Sequence, residues 1–116
     1  MKLAVLFTMI IFSTTQERAE NQLLPTKLRV TVVDGLGNFV EGATVSIYEN
    51  EQDYRGSTNA VGIGNTDKKG RVMFKDLKLI GYYIEAKKGD QNNNGEGVLT
   101  GELAEGKINK VNTVIE

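Results

Sequence analysis

The chain has 116 residues, enough for one domain that buries roughly two-thirds of its unfolded surface and so folds without metal or disulfide staples. Its 14 basic and 15 acidic residues are dispersed and give a formal net charge of −1, which leaves no basic footprint for nucleic acid. It has no cysteine and no histidine, excluding disulfides, thiolate nucleophiles, Cys-ligated zinc, the commonest general base and the usual transition-metal ligand.

Residues 1–15, MKLAVLFTMIIFSTT, set Lys2 ahead of an apolar run at 3–12 and then small polar residues. That is the layout of a secretory signal peptide, and the run is too short for a bilayer, which needs about twenty apolar residues. Ser13 and Thr15 suit the positions before a cut, with Gln16 as the new terminus. The expected division is a signal peptide at 1–15, a flexible N-terminal segment at 16–26 and a β-sandwich domain at 27–116. The expected location is outside the cytoplasm, in a bacterial periplasm, on the cell envelope or secreted, without spanning the membrane.

From Lys27 onward the apolar residues alternate with period two rather than 3.6. Leu28, Val30 and Val32 form one face of a first strand that ends at Asp34, and residues 35–38 (GLGN) are turn chemistry. Ala43, Val45 and Ile47 define a second strand, and the polar stretch 49–59 is predicted to be a long surface loop. A short strand is expected over 60–66, a tight hairpin turn over 66–70, and a strand with Val72 and Phe74 on one side. Tyr82, Ile84 and Ala86 mark the next strand, with Tyr83 and Glu85 on its other face. A polar loop over 90–97, a weaker strand over 98–103 and a last strand through Val111, Thr113 and Ile115 complete the chain. Each strand has one apolar face, and two sheets bury those faces against each other. Val32, Val45, Ile47, Phe74 and Ile84 are the expected core. The fold class is all-β, an approximately seven-stranded Greek-key β-sandwich.

The pattern Val32-x-Asp34-x-x-Gly37-x-x-Val40-x-Gly42-Ala43-x-Val45-x-Ile47, then Thr66-Asp67-x-x-Gly70-x-Val72-x-Phe74-x-x-Leu77, then Tyr83-x-x-Ala86, resembles the carboxypeptidase regulatory-like domain. That domain belongs with the transthyretin-like and collagen-adhesin B-type sandwiches, and the resemblance covers about residues 27–88. It implies a fold more than a function, since such domains serve as appendages, stalks and extensions. Hydroxyisourate hydrolases of transthyretin shape use histidines, which this chain lacks. Zinc carboxypeptidase chemistry sits in a separate catalytic domain. B-type modules often carry a Lys–Asn isopeptide bond assisted by a buried acid, and Lys27, Glu85 and Asn112 are the nearest counterparts by strand order. Lys27 and Glu85 lie on the faces opposite Leu28 and Ile84, so they are expected to be solvated.

Two loops carry ligand-like chemistry. Asp90, Asn92, Asn94 and Gly95 match the first half of a D-x-N-x-N-G calcium loop, with Glu96 as a further oxygen donor. The twelfth position is Gly101, with Glu102 one place late, and Asn and Gly also populate ordinary exposed loops. Calcium is the one cofactor the sequence raises. In the stretch 48–54, Tyr48 and Tyr54 flank Glu49, Glu51 and Asp53, a mixture able to stack on sugar rings and bind hydroxyls. Carboxylates on a solvated loop lack the cleft that would tune their pKa values, so no catalysis is expected. The functional expectation is a secreted, non-catalytic binding or structural accessory whose partner is an unknown envelope or extracellular protein or glycan. A calcium-stabilised adhesion or glycan-binding module and a transthyretin-like oligomeric carrier are the alternatives.

Overall fold

The computed structural model describes residues 24–116; the expected signal peptide and residues 16–23 lie outside the described residues. The strands are β1 (Lys27–Asp34), β2 (Thr44–Tyr48), β3 (Gly62–Asn65), β4 (Arg71–Phe74), β5 (Tyr83–Lys88), β6 (Gln91–Asn92) and β7 (Ile108–Ile115), with one short helix, α1 (Glu51–Gly56), between β2 and β3. They form a three-stranded sheet, β4-β1-β7, and a four-stranded sheet, β3-β2-β5-β6. β1 runs antiparallel to β4 and parallel to β7, while every pairing in the second sheet is antiparallel.

The alternation read from the sequence decides which side chains meet. Leu28, Val30 and Val32 of β1 are fully buried, facing Val45 and Ile47 of β2 and Ile84 and Ala86 of β5 across the sandwich. Phe74, Tyr82, Leu103 and Ile115 complete the core. Tyr82 turns inward and Tyr83 outward, as the period requires. All five residues expected in the core are buried.

Glycine is what lets the two sheets close along one side. A Cβ at Gly62 would lie 2.7 Å from Phe74 Cδ1 and 3.2 Å from Ile47 Cγ1, and one at Gly64 would lie 2.7 Å from Val72 Cγ2. Edge strand β3 therefore presses its backbone onto the side chains of β4. In the hairpin before β4, the Asp67 carboxylate accepts N–H groups from Lys69 (2.8 Å) and Arg71 (3.0 Å). Those bonds, the Arg71 amide first, hold its pKa below the usual carboxylate value. Gly70 follows at φ +72°, where a Cβ would lie 2.6 Å from the Val32 carbonyl oxygen.

Two local expectations are corrected. The stretch 49–59 is not all loop: Asn50 caps α1 by accepting the Asp53 N–H at 2.8 Å, Arg55 bonds Glu51 one turn back, and Ser57 closes the helix in the left-handed region. No residue of α1 is buried, so it has no apolar stripe to reveal it. The stretch 98–103 is not a regular strand. It touches β5 through a single bridge, Tyr83 to Leu99, and through the bonds from Ile84 N–H to Val98 O (2.6 Å) and from Thr100 N–H to Tyr82 O (2.9 Å).

Candidate functional site

The two candidate loops flank the four-stranded sheet. Helix α1 lies over the outer face of β2 and β5, where the Tyr54 ring packs edge-on against Tyr48 (centroids 5.9 Å) and stacks on Tyr83 (5.7 Å). Glu85 sits among these rings and accepts hydrogen bonds from Tyr48 Oη (3.1 Å) and Ser57 Oγ (3.3 Å), with Lys87 Nζ 3.6 Å away. The side chain of Glu85 keeps only 18% of its exposure. It points outward from the sheet, as its register predicts, yet α1 covers it, and the expectation that it is solvated is corrected.

Tyr48 is buried at 2% exposure, so its ring is a packing surface; of the two tyrosines expected to meet a sugar, Tyr54 alone remains partly accessible. Burial, followed by the neighbouring Glu85 carboxylate, pushes the Tyr48 phenol up, and the same two causes raise Tyr54. At neutral pH both are protonated donors and neither serves as a base. The carboxylates nearby are also committed. Glu51 bonds Arg55 and Glu49 pairs with Lys78 at 3.3 Å. Asp53 accepts from the amides of Asn50 (3.1 Å) and Asn59 (3.3 Å). The cluster clasps a helix to a sheet.

The 90–97 loop is split by pairing. Gln91 and Asn92 form β6 against Lys88 and Lys87, leaving Asp90 exposed in the β5–β6 turn and Asn94 and Glu96 exposed beyond it. Asn92 Oδ1 accepts the Asn94 N–H at 3.0 Å. Among the described residues no three His, Cys, Asp or Glu side chains gather around one point.

Sequence reasoning passed over Asn93, which is 1% exposed. Its Oδ1 accepts the Ala86 N–H at 3.0 Å, and its Nδ2 donates to Ile84 O at 3.0 Å and Thr113 Oγ1 at 2.9 Å. Thr113 Oγ1 donates onward to Glu96 O at 3.1 Å. One side-chain amide thus stands in for a peptide group where the chain bulges away from β5, and it ties β5 to β7 across the sheets.

The isopeptide counterparts do not meet. Lys27 pairs in register with Ile108, and Asn112 pairs with Thr31, four residues further along β1. That is on the order of 13 Å along the strand, and Glu85 belongs to the other sheet.

No protein-family model and no curated protein sequence matches the chain. Solved structures do. The TIE protein of Bacillus anthracis aligns with 79% of this chain at 25% identity and a TM-score of 0.55. A streptococcal ancillary pilin aligns with 79% at 18% identity and 0.57, and BcpA, the major pilin subunit of Bacillus cereus, with 80% at 15% identity and 0.50. Two of the three are pilins. The likeness establishes the β-sandwich fold, and the aligned region covers only 17%, 32% and 30% of those chains. Within the described residues no helix is long and apolar enough to cross a membrane.

Proposed function

We propose that the protein is an exported, non-catalytic β-sandwich that serves as a structural or adhesive accessory on a bacterial surface. The observation that carries this reading is the fit of nearly the whole described domain to a single portion of larger pilin and TIE chains. The state of the polar side chains supports it: Tyr48 is bonded to Glu85, and Glu49, Glu51 and Asp53 are held by Lys78, Arg55 and Asn50, as a scaffold uses them. The resemblance to carboxypeptidase regulatory-like domains is compatible with the same role, because those domains also act as attachments. Edge-to-edge assembly into a carrier has little to work with at β3, which offers four residues, two of them glycine, and would have to use β7, the eight-residue edge of the other sheet. The test is antibody labelling of intact against permeabilised native cells, with mass spectrometry of the recovered chain. Labelling of intact cells and an N-terminus near Gln16 are expected. A cytoplasmic protein that retains Met1 overturns the reading.

Calcium at the 90–96 loop is a second reading. It is favoured by the exposed side-chain oxygens of Asp90, Asn94 and Glu96, which have no hydrogen bond among the described residues, with Asn92 beside them. So few charged ligands imply a Kd of about 10⁻⁴–10⁻³ M. Millimolar calcium is then worth about 1 kcal/mol, a rise in Tm of a few degrees. The rise is expected with calcium but not magnesium at equal ionic strength, and not in Asp90→Ala. Equal melting temperatures in all four samples remove the site.

A further inference from the structure

The outer face of the three-stranded sheet carries cations that the packing of the domain does not use. Alternation along β1 turns Lys27 and Arg29 away from the core, and the register places Arg71 of β4 and Lys110 of β7 on the same face. Lys110 is directly opposite Arg29, roughly 5 Å away between strands, and Arg71 is one diagonal away. No strand residue on this face is acidic. The ion pairs of the described residues, Arg55–Glu51, Lys78–Glu49 and Lys87–Glu85, all lie elsewhere. A chain of net charge −1 has therefore gathered on one sheet face four cations that form no ion pair among the described residues, and there they repel one another.

The Nε atoms of Arg29 and Arg71 are buried and have no hydrogen-bond partner among the described residues. A buried N–H without an acceptor is costly, and more so on a charged group. Both arginines line a hollow of about 240 Å³ together with Asp67, Val72 and Met73. Asp67 does not neutralise them by contact: its Oδ1 is taken by the backbone N–H groups of Lys69 and Arg71, and no ion pair within 4.0 Å forms. Two guanidinium groups against the single Asp67 carboxylate, which the Arg71 amide and then the Arg71 charge help keep ionised, leave the hollow net positive and suited to one further carboxylate-sized anion.

The face is also partly apolar. Met73 sits opposite Arg29, and Ile108 opposite Lys27; both are exposed, at 39% and 45%. Cations interleaved with apolar side chains match a polypeptide better than a polyphosphate or a nucleic acid, which offer nothing to Met73 and Ile108. We propose that this face docks an acidic polypeptide segment, whose carboxylates pair with Arg29 and Arg71 and whose apolar side chains cover Met73 and Ile108. The proposal rests on the accessory-module reading and deepens it, naming the face such an accessory would use and the chemistry of its partner.

The test is fluorescence anisotropy of a fluorescein-labelled peptide of alternating Glu and Val, titrated with the full chain at low and high salt. Salt-sensitive binding is expected, with no binding of the same peptide carrying Gln for Glu. Arg29→Gln/Arg71→Gln is expected to weaken binding about tenfold or more, since both bidentate partners are gone. Lys78→Gln/Lys87→Gln, away from this face, leaves binding unchanged. The Arg variant keeps or raises its Tm, because like-charge repulsion is relieved; should it not fold, a smaller weakening of a few-fold, with a shallower salt dependence, is expected of Lys27→Gln/Lys110→Gln. Equal affinity in wild type and the face variants overturns the proposal. So does tighter binding of inorganic polyphosphate or an oligonucleotide than of the acidic peptide. Failure here while the protein is found on intact cells leaves the accessory reading standing, and a cytoplasmic location overturns that reading without altering the binding result.

Discussion

Asn93→Ala is expected to lower stability by about 3–4 kcal/mol, because each buried polar group left without a partner costs about 1–3 kcal/mol. The substitution strips the Ala86 N–H and the Ile84 carbonyl of their acceptor and donor, and removes one of the two bonds of Thr113 Oγ1. The backbone bonds from Asn93 N–H to Ala86 O (3.2 Å) and from Glu96 N–H to Asn93 O (3.1 Å) survive, so the damage is confined to the side-chain amide. Urea unfolding followed by circular dichroism measures it, with a lower midpoint and an unchanged slope. A loss under about 1 kcal/mol would mean that water replaces the amide, and that β5 and β7 do not depend on it. The contrast with Asp90→Ala is informative. Asp90 is exposed and makes no hydrogen bond among the described residues, so its removal should leave the calcium-free protein within about 0.5 kcal/mol of wild type.

Asn93 also marks where sequence reasoning stops. Asn92, Asn93 and Asn94 are chemically identical, and only the pairing of Asn92 with Lys87 decides that the middle one enters the core. The sequence offers alternate oxygens at 90, 92 and 94, which suit a cation; the fold uses the residue between two of them. The strands with strict alternation, such as Leu28-x-Val30-x-Val32 and Tyr82-x-Ile84-x-Ala86, were legible because one face of each is wholly apolar. Helix α1 was not, since it buries nothing of its own and is set by Asn50, Asp53 and Ser57, capping groups that also suit turns. The expected strand over 98–103 failed because Asn93 and the Thr100 hydroxyl, which accepts the Tyr82 N–H at 2.9 Å, replace ladder bonds with side-chain ones. The basic face lay between these cases. Alternation alone turns Arg29 and Arg71 outward, but only register brings Lys110 beside Arg29.

Phe74→Ala is expected to cost about 3–5 kcal/mol, the range for a large aromatic lost from a core, out of a total of about 5–15 kcal/mol for a domain of this kind. Phe74 is 7% exposed, faces Leu28 across β1 and β4, and is the side chain onto which Gly62 of β3 closes. Its removal opens a void between edge strand β3 and the core. A loss below about 1 kcal/mol would mean that the ring is not part of the core. The geometry also fixes a coupling. Gly62→Ala in the wild-type background forces a methyl to within 2.7 Å of Phe74 Cδ1, an overpacking that costs about 1–3 kcal/mol. In the Phe74→Ala background the nearest obstacle is gone and only Ile47 Cγ1, at 3.2 Å, still crowds the added methyl, so Gly62→Ala should cost clearly less there than in the wild-type background. A double-mutant cycle on denaturant midpoints should therefore show a coupling above about 1 kcal/mol between the two positions. Additive effects would show that β3 does not rest on Phe74. The same anchor holds β4, the strand that presents Arg71, so Phe74→Ala should also weaken acidic-peptide binding, at temperatures where the domain is still folded, through a side chain that faces away from the peptide.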